Sequence, residues 1–220
     1  MTTSDVETAY TLSALTYRLL ANPEMFKKLK TELENAIPDP DTPVNSAQLE
    51  QLPYLTGLIQ EGVRLHPGAL VRQARIAPDE DLIYTDPESK RQWIIPAGTS
   101  VAMDARSCNL HPRAFSAPHR FLPERWIENP RLDRYLLSFS RGTRICLGLN
   151  LAYSEMYMIL GGIFRRFDLY DGTGKQTQPT LSLEDTEYTR DIEVQSDFLV
   201  PFPSKGSKGV QVKVRAASQA

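Results

Sequence analysis

The chain has 220 residues, 41% of them hydrophobic and 24% charged, a composition that excludes disorder, collagen and coiled coil for the chain as a whole. Its 25 basic and 27 acidic residues leave a formal net charge of −2, which gives no sign of a nucleic-acid partner. Two cysteines are too few for a disulfide framework and predict a reducing compartment. No run of about 18 apolar residues predicts a membrane span, and the N-terminus lacks the basic and apolar stretches of a signal peptide.

The first third of the chain is predicted to be helical. A first helix should end at Ala21, and its buried face is expected to hold Leu12, Leu15, Thr16 and Leu19. Asn22 is a typical N-cap and Pro23 a typical first helical residue, so a second helix should follow and end before Pro38. A third helix is expected from Pro53 to Leu65, where the segment 66–68 ends it.

The rest of the chain changes its pattern several times. Short strands are predicted at Val71–Ile76, Leu82–Tyr84, Trp93–Ile95 and Phe198–Val200, with alternating valines at 210, 212 and 214. Residues 109–136 look like an irregular packed loop. A long helix should follow Gly148, with its buried face formed by Leu151, Ala152, Met156, Ile159, Leu160, Ile163 and Phe164. The predicted fold class is therefore mainly α with small β-sheets (α+β).

The segment from Phe139 to Gly148 carries the most specific pattern in the chain, F-x-x-G-x-R-x-C-x-G. Cys146 can offer a thiolate, a strong soft ligand for iron, and it stands just before a helix whose N–H groups and positive end can stabilise a negative sulfur. The alternative is a buried free cysteine. Cys108 lacks such surroundings and is expected to be a core cysteine.

The other fixed positions of this segment suit a large planar ligand. Gly142 and Gly148 let the backbone lie close to it, because a Cβ would clash. Arg144 can reach an acidic group on its rim, and Phe139 can shield the sulfur from water. With these residues the sequence resembles the cytochrome P-450 family of haem-thiolate monooxygenases. The resemblance implies haem b, with its iron held by the Cys146 thiolate.

Two further motifs carry the same resemblance. Glu61 and Arg64 match the family's E-x-x-R on the third predicted helix, and the segment from Phe121 to Trp126 matches F-x-P-E-R-[FW]. The resemblance implies that Glu61, Arg64 and Arg125 form a buried charge network, which could lock the loop that presents the cysteine. The alternative is a surface pair three residues apart together with an unrelated arginine.

Single residues elsewhere allow two interpretations. Arg75 stands where the family often has an arginine that binds a haem propionate, but it could also be a solvated strand arginine. Arg144 is the safer propionate partner. His66 is expected to end its helix, and His111 and His119 are expected to be structural or exposed.

Glu7 and Thr8 can be aligned with the family's A-G-x-[DE]-T-[TS] pattern on a long helix over the haem. The resemblance implies that this acid–alcohol pair relays protons for O–O cleavage. Ser4 and Asp5 replace the small Ala-Gly pair of that pattern, whose lack of bulk makes room for oxygen. The alternative is that Ser4 or Asp5 caps the first helix.

The match covers the C-terminal half of the family's fold and looks most like its fungal members. We expect one partial domain over 1–220, composed of an oxygen-side helix remnant (1–21), the E-x-x-R helix (53–65), a sheet region (69–105), the haem-thiolate loop (139–148) and the following helix (148–166). The anchor, most of the substrate pocket and the segment for a second propionate are expected to be missing, so the chain is interpreted as truncated.

Two functions follow from the resemblance. The first is a monooxygenase of secondary metabolism that inserts one atom of O2 into an apolar small molecule, with electrons from an NADPH-dependent reductase. The second is a non-catalytic haem-binding or interaction remnant of the same fold. Family members typically sit on the cytosolic face of the endoplasmic reticulum membrane, whereas this chain alone is expected to be cytoplasmic. A few members catalyse isomerisation or dehydration, which the cysteine motif does not exclude.

Overall fold

The computed structural model describes residues 3–218 of the chain. In chain order the helices are α1 (Thr3–Leu20), α2 (Pro23–Ala36), α3 (Ser46–Leu49), α4 (Pro53–Leu65), α5 (Ala105–Asn109), α6 (Glu124–Glu128), α7 (Leu149–Arg166) and α8 (Tyr188–Asp191), with 3-10 turns at Pro130–Tyr135 and Gly142–Arg144. The strands are β1 (Gln73–Ile76), β2 (Leu82–Thr85), β3 (Gln92–Ile95), β4 (Ser100–Met103), β5 (Asp168–Leu169), β6 (Thr180–Leu183), β7 (Ser196–Phe198), β8 (Val200–Phe202) and β9 (Val212–Arg215). The predicted fold class, mainly α with small β-sheets, is confirmed.

Four helices enclose the main core, because α1, α2, α4 and α7 each contact the other three. Their apolar residues recur at helical spacing, so each helix turns one face inward. The fully buried members of this core include Leu15, Leu19, Leu29, Leu33, Leu55, Leu58, Met156, Leu160 and Phe164. This packing fixes α4 and α7 against each other, and those two helices lead into and out of the segments that form the site.

The helix boundaries follow the capping signals closely. Asn22 caps α2, since its Oδ1 accepts a hydrogen bond from the Met25 N–H at 3.1 Å, and Pro23 is the first helical residue. The first helix ends at Leu20, one residue before the predicted end. His66 ends α4 as predicted, and its backbone N–H donates to the Gly62 carbonyl at 2.7 Å.

The buried face of α7 differs from the predicted one. Leu151 and Ile159 are 62% and 42% exposed, whereas Tyr157 is buried. Gly161 is also buried, and α3 packs closely against it: a Cβ there would lie 2.9 Å from the Leu49 side chain. Most sides of α7 carry apolar residues of the helix itself, so periodicity alone could not predict which face α3 covers.

The segment 109–136 is more regular than predicted, since it contains α6 and the 3-10 turn at Pro130–Tyr135. Both helical stretches are only five or six residues long and begin beside a proline, Pro123 and Pro130. Stretches this short show no apolar periodicity that would predict a helix. Their prolines therefore favoured the prediction of a loop.

The sheets are small. Strands β1 and β4 pair antiparallel, as do β2 with β3 and β7 with β8, while β6 lies between parallel β5 and antiparallel β9. The predicted strand at 198–200 is divided: Phe198 ends β7, Val200 begins β8, and Leu199 between them forms the turn with a φ of +77°. Strands β4, β5 and β6 were not predicted. The opposed residues Ile83 and Ile94 are each 68% exposed, so the described residues leave the β2–β3 hairpin uncovered.

Candidate functional site

The loop that carries Cys146 is a tight backbone structure between the Pro130–Tyr135 turn and α7. The Cys146 N–H donates to the Phe139 carbonyl at 2.9 Å, and the Ile145 N–H donates to the Gly142 carbonyl at 3.1 Å. Gly142 has a φ of +72°, a conformation that a side chain would strain. These contacts fix the backbone of the loop up to Cys146, and α7 begins three residues later at Leu149.

The Cys146 side chain is exposed and is not in a disulfide. The alternative of a buried free cysteine therefore does not describe it. A Cβ at Gly148 would lie 3.7 Å from the Cys146 sulfur, in ordinary contact with it, whereas at Gly142 it would meet no described atom within 4 Å.

A cavity of about 310 Å³ lies beside this sulfur. It brings together six of the residues that the sequence singled out: Glu7, Thr8, Phe139, Arg144, Cys146 and Gly148. The acid–alcohol pair comes from α1 and the other four come from the cysteine loop and the start of α7. Gly142 and Arg75 do not line this cavity.

Apolar side chains cover much of the same cavity. Phe139 packs against Tyr153 on α7, with ring centroids 5.3 Å apart. Val71, Leu151 and Leu199 also line it, and each is at least one third exposed in the described residues. Leu151 is thus exposed because it faces the cavity, which explains its departure from the predicted core face.

Arg75 belongs to a neighbouring cavity of about 500 Å³, which shares Val71, Gln73, Ser138 and Ser140 with the first. Its guanidinium donates from Nη2 to the Ser140 hydroxyl at 3.1 Å and from Nη1 to the Ala74 carbonyl at 3.0 Å. The side chain is exposed, in line with one of the two interpretations, but it also ties strand β1 to the cysteine loop.

Glu7 and Thr8 are half-buried on α1. Burial raises the pKa of the Glu7 carboxyl above its ordinary value. A Cβ at Gly68 would lie 2.6 Å from the Glu7 Cβ, so a glycine at position 68 lets the chain after α4 pass close to α1. The side chains of Ser4 and Asp5, on which the capping alternative depends, lie outside the described part of the structure.

Glu61, Arg64 and Arg125 are brought together in the interior. The Arg64 guanidinium donates to both Glu61 oxygens at 2.8 Å, and Arg125 Nε donates to Glu61 Oε1 at 3.2 Å. Both Glu61 and Arg64 are 0% exposed, which excludes the surface-pair alternative. The Trp126 indole N–H at 2.9 Å and the Leu122 backbone N–H at 2.8 Å complete the donors around Glu61.

The two arginines also hold the chain between α5 and α6. Arg64 donates to the carbonyls of Asn109, Pro118 and Arg120, while Arg125 donates to those of Ser116 and Ala117. The Arg64 guanidinium lies 5.0 Å from the Phe115 ring centroid. A buried charge is stable only when its hydrogen-bonding groups are paired, and these groups are.

Sequence reasoning missed Asn109 and Ser138. Asn109 is 0% exposed, and its side chain hydrogen-bonds with Ser138 and with the backbone of Arg64 and Leu137. No spacing rule marks either residue, because an asparagine at the end of a short helix usually suggests a turn. Their importance depends on segments far apart in the chain.

The remaining histidines and Cys108 can now be located. His66 is fully buried, and burial together with the charges of Arg18, Arg106 and Arg64 lowers its pKa to about 3. His111 and His119 are exposed, as one of the two expectations had it. Cys108 is half-buried and lies outside the core, so its prediction as a core cysteine is wrong, although burial raises the pKa of its thiol.

Within residues 3–218 there is no group of three or more His, Cys, Asp or Glu side chains that could hold a metal ion. No helix in that range has the length and apolar character to cross a membrane.

An exposed thiol before a helix, a mainly apolar cavity beside it and a buried Glu–Arg–Arg network lie together on one mainly α fold. The family model described as Cytochrome P450 matches residues 4–189. The chain belongs to the cytochrome P450 family, whose members hold haem iron through a cysteine thiolate.

Fungal proteins are among the relatives. The chain is 47% identical over 209 residues to cytochrome P450 monooxygenase tpcC of Cochliobolus heterostrophus, covering 95% of this chain and 40% of that protein. It is 46% identical over 214 residues to cytochrome P450 monooxygenase astB of Talaromyces wortmannii, covering 94% of this chain and 43% of that protein. The chain thus spans about two fifths of the length of these curated relatives.

Proposed function

We propose that this chain carries the thiolate side of a haem monooxygenase, with Cys146 as the axial ligand of haem b. One observation supports this most directly: the exposed Cys146 lines a cavity together with Phe139, Arg144 and the Glu7–Thr8 pair of α1. The donor set fits the cofactor, because it offers one soft sulfur, apolar walls and a guanidinium. When bound, the haem supplies the activation of O2, which no side chain can perform.

The residues around the cavity would bind and shield this cofactor. Phe139, held against Tyr153, would shield the sulfur from water when the cofactor is bound. Arg144 offers charge-assisted hydrogen bonds to a propionate. Arg75 is proposed as a second propionate partner, since its cavity adjoins the first and the Ser140 contact holds the guanidinium near the loop. Gly148, which lines the cavity, and Gly142 are proposed to leave room for the ring, because neither carries a Cβ.

Glu7 and Thr8 are proposed to handle protons. Both residues lie on α1, which lines the same cavity as the cysteine loop and α7 but is a separate segment of the chain. The raised pKa of Glu7 supports this, because a carboxyl that retains its proton to higher pH still has a proton to donate there. The hydroxyl of Thr8 can pass a proton on or orient a water molecule.

The buried network of Glu61, Arg64 and Arg125 is proposed to lock the framework behind the cysteine loop. Residues 1–220 are interpreted as one partial domain with the five segments named above. The reaction proposed for the complete protein inserts one atom of O2 into an apolar substrate of secondary metabolism. Electrons would come from an NADPH-dependent reductase on the cytosolic face of the endoplasmic reticulum.

A second candidate function is a non-catalytic haem-binding or interaction module. The uncovered apolar strands favour it, because Ile83, Ile94 and Met103 are each more than two thirds exposed in the described residues. A surface of this kind is typical of a contact with another polypeptide segment.

A carbon monoxide difference spectrum of the purified chain tests the haem site. The chain is supplied with haem, reduced and exposed to carbon monoxide. We expect a thiolate-type band that is lost in Cys146→Ser and kept in Cys108→Ser, the matched control. Failure of the unaltered chain to take up haem would contradict both candidates as haem proteins. Substrate oxidation with added reductase would then separate the monooxygenase from the remnant.

A further inference from the structure

Asn109 connects three segments through one buried amide. Its Nδ2 group donates to the Arg64 carbonyl at 3.2 Å and to the Ser138 hydroxyl at 2.8 Å. Its Oδ1 accepts from the Leu137 N–H at 3.0 Å. Two acceptors face one end of the amide and a donor faces the other, so only this orientation satisfies all the partners.

Ser138 extends the same connection. Its hydroxyl accepts from Asn109 and donates to the Val63 carbonyl at 2.7 Å. The carbonyls of Val63 and Arg64 belong to the last turn of α4, where helix carbonyls lack partners within the helix. Asn109 and Ser138 therefore satisfy the end of α4 with groups from other segments.

The chain from Leu137 continues directly into the cysteine loop. Phe139 follows Ser138, and its carbonyl accepts the Cys146 N–H at 2.9 Å. On its other side Asn109 is tied to the charge network, because Arg64 Nη1 donates to the Asn109 carbonyl at 3.0 Å. Hydrogen bonds, together with the short chain segment from Leu137 to Phe139, thus connect Glu61 to the backbone of Cys146.

We infer that Asn109 is a positioning residue that holds the entry of the cysteine loop, residues 137–139, against the end of α4 and so orients Cys146. The consequence for haem depends on the proposed function, whereas the effect on the loop does not. An ionised aspartate has nearly the same shape but cannot donate, so Asn109→Asp in its ionised form loses the bonds to the Arg64 carbonyl and the Ser138 hydroxyl while the acceptor for Leu137 remains.

Amide hydrogen exchange in the haem-free 220-residue chain tests the inference. In Asn109→Asp we expect the Leu137 and Cys146 amides to exchange about tenfold faster or more, since two buried hydrogen bonds are lost. Amides of α2 should change much less, which distinguishes a local effect from general destabilisation. Tyr10→Phe is the matched control: it removes the 2.9 Å bond to the Ile192 carbonyl, away from the loop. Equal acceleration in both variants would overturn the inference.

Ser138→Ala is the milder variant and keeps the test decisive if Asn109→Asp does not fold. It should also accelerate exchange at Cys146 relative to α2. In a cycle of Asn109→Ala, Ser138→Ala and the variant that combines them, the two effects on Cys146 exchange should be less than additive, because both act on the same path. Full additivity, or unchanged loop exchange in Ser138→Ala, contradicts the inference. If the proposed function holds, haem affinity should fall in parallel. A chain that binds no haem would refute only the proposed function.

Discussion

Glu61 and Cys146 are two reactive groups in opposite surroundings. Glu61 is completely buried, and five donors from Arg64, Arg125, Trp126 and Leu122 surround its carboxylate. Cys146 is exposed and is not in a disulfide. A charge inside a protein must find its partners in the chain, whereas a group that serves an external ligand must stay open. The contrast suits a structural role for Glu61 and a ligand-binding role for Cys146.

The largest effect on stability should come from Arg64→Met. It leaves Glu61 buried with only part of its compensating charge, which costs about 3–5 kcal/mol of unfolding free energy. Urea unfolding and soluble yield measure this loss. Lys28→Met is the matched control, because its 2.6 Å pair with Glu124 is exposed and worth at most about 1 kcal/mol. Similar losses in both variants would remove the distinction between buried and exposed pairs.

A second effect is the pH dependence of stability through His66. Its pKa is about 3 in the folded chain against 6.5 as the reference value, mainly because burial disfavours the charged ring. The unfolded chain therefore binds the extra proton first. The stabilisation is complete above about pH 6.5 and decreases as the pH falls towards 3, by at most about 1.4 kcal/mol per pH unit.

Unfolding free energies between pH 7 and 5 measure this slope. We expect His66→Phe to flatten it, while the exposed His119 can be replaced by glutamine without changing it. If His119→Gln flattened the slope and His66→Phe did not, the buried ring would not be the group that titrates.

Trp126→Phe should have an intermediate effect. It keeps the ring in the core but removes the indole N–H that donates to Glu61, at a cost of about 1–3 kcal/mol. Trp93→Phe on exposed β3 is its control and should stay within about 0.5 kcal/mol. Thermal unfolding of the two variants provides the comparison, and equal shifts would mean that the hydrogen bond contributes nothing.

The smallest effect on stability should come from Cys146→Ala, because the side chain is exposed. We expect a change within about 0.5 kcal/mol by urea unfolding, together with complete loss of the thiolate-type haem spectrum. This result would make the contrast with Glu61 as sharp as possible. A loss of several kcal/mol would instead indicate that the sulfur has a structural role in the haem-free chain.

Local signals predicted much of the helical framework. Asn22 and Pro23 marked the start of α2, and the segment after Leu65 marked the end of α4, because caps and prolines act within a few residues. The face of α7 and the short helix α6 were not predictable in this way. Their positions depend on which residues of distant segments, such as Leu49, come to lie against them.

The sequence alone determined the family, the fold class and the chemical identity of the candidate ligand, since the spacing around Cys146 and the two charged motifs are properties of the chain itself. Only the tertiary structure decided which of these residues meet. In the structure Glu7 and Thr8 line the same cavity as Cys146, whereas Arg75 lines the neighbouring cavity. Asn109 lies between the end of α4 and the entry of the cysteine loop. Hydrogen bonds and burial join segments far apart in the chain, so they are fixed by packing and not by local pattern.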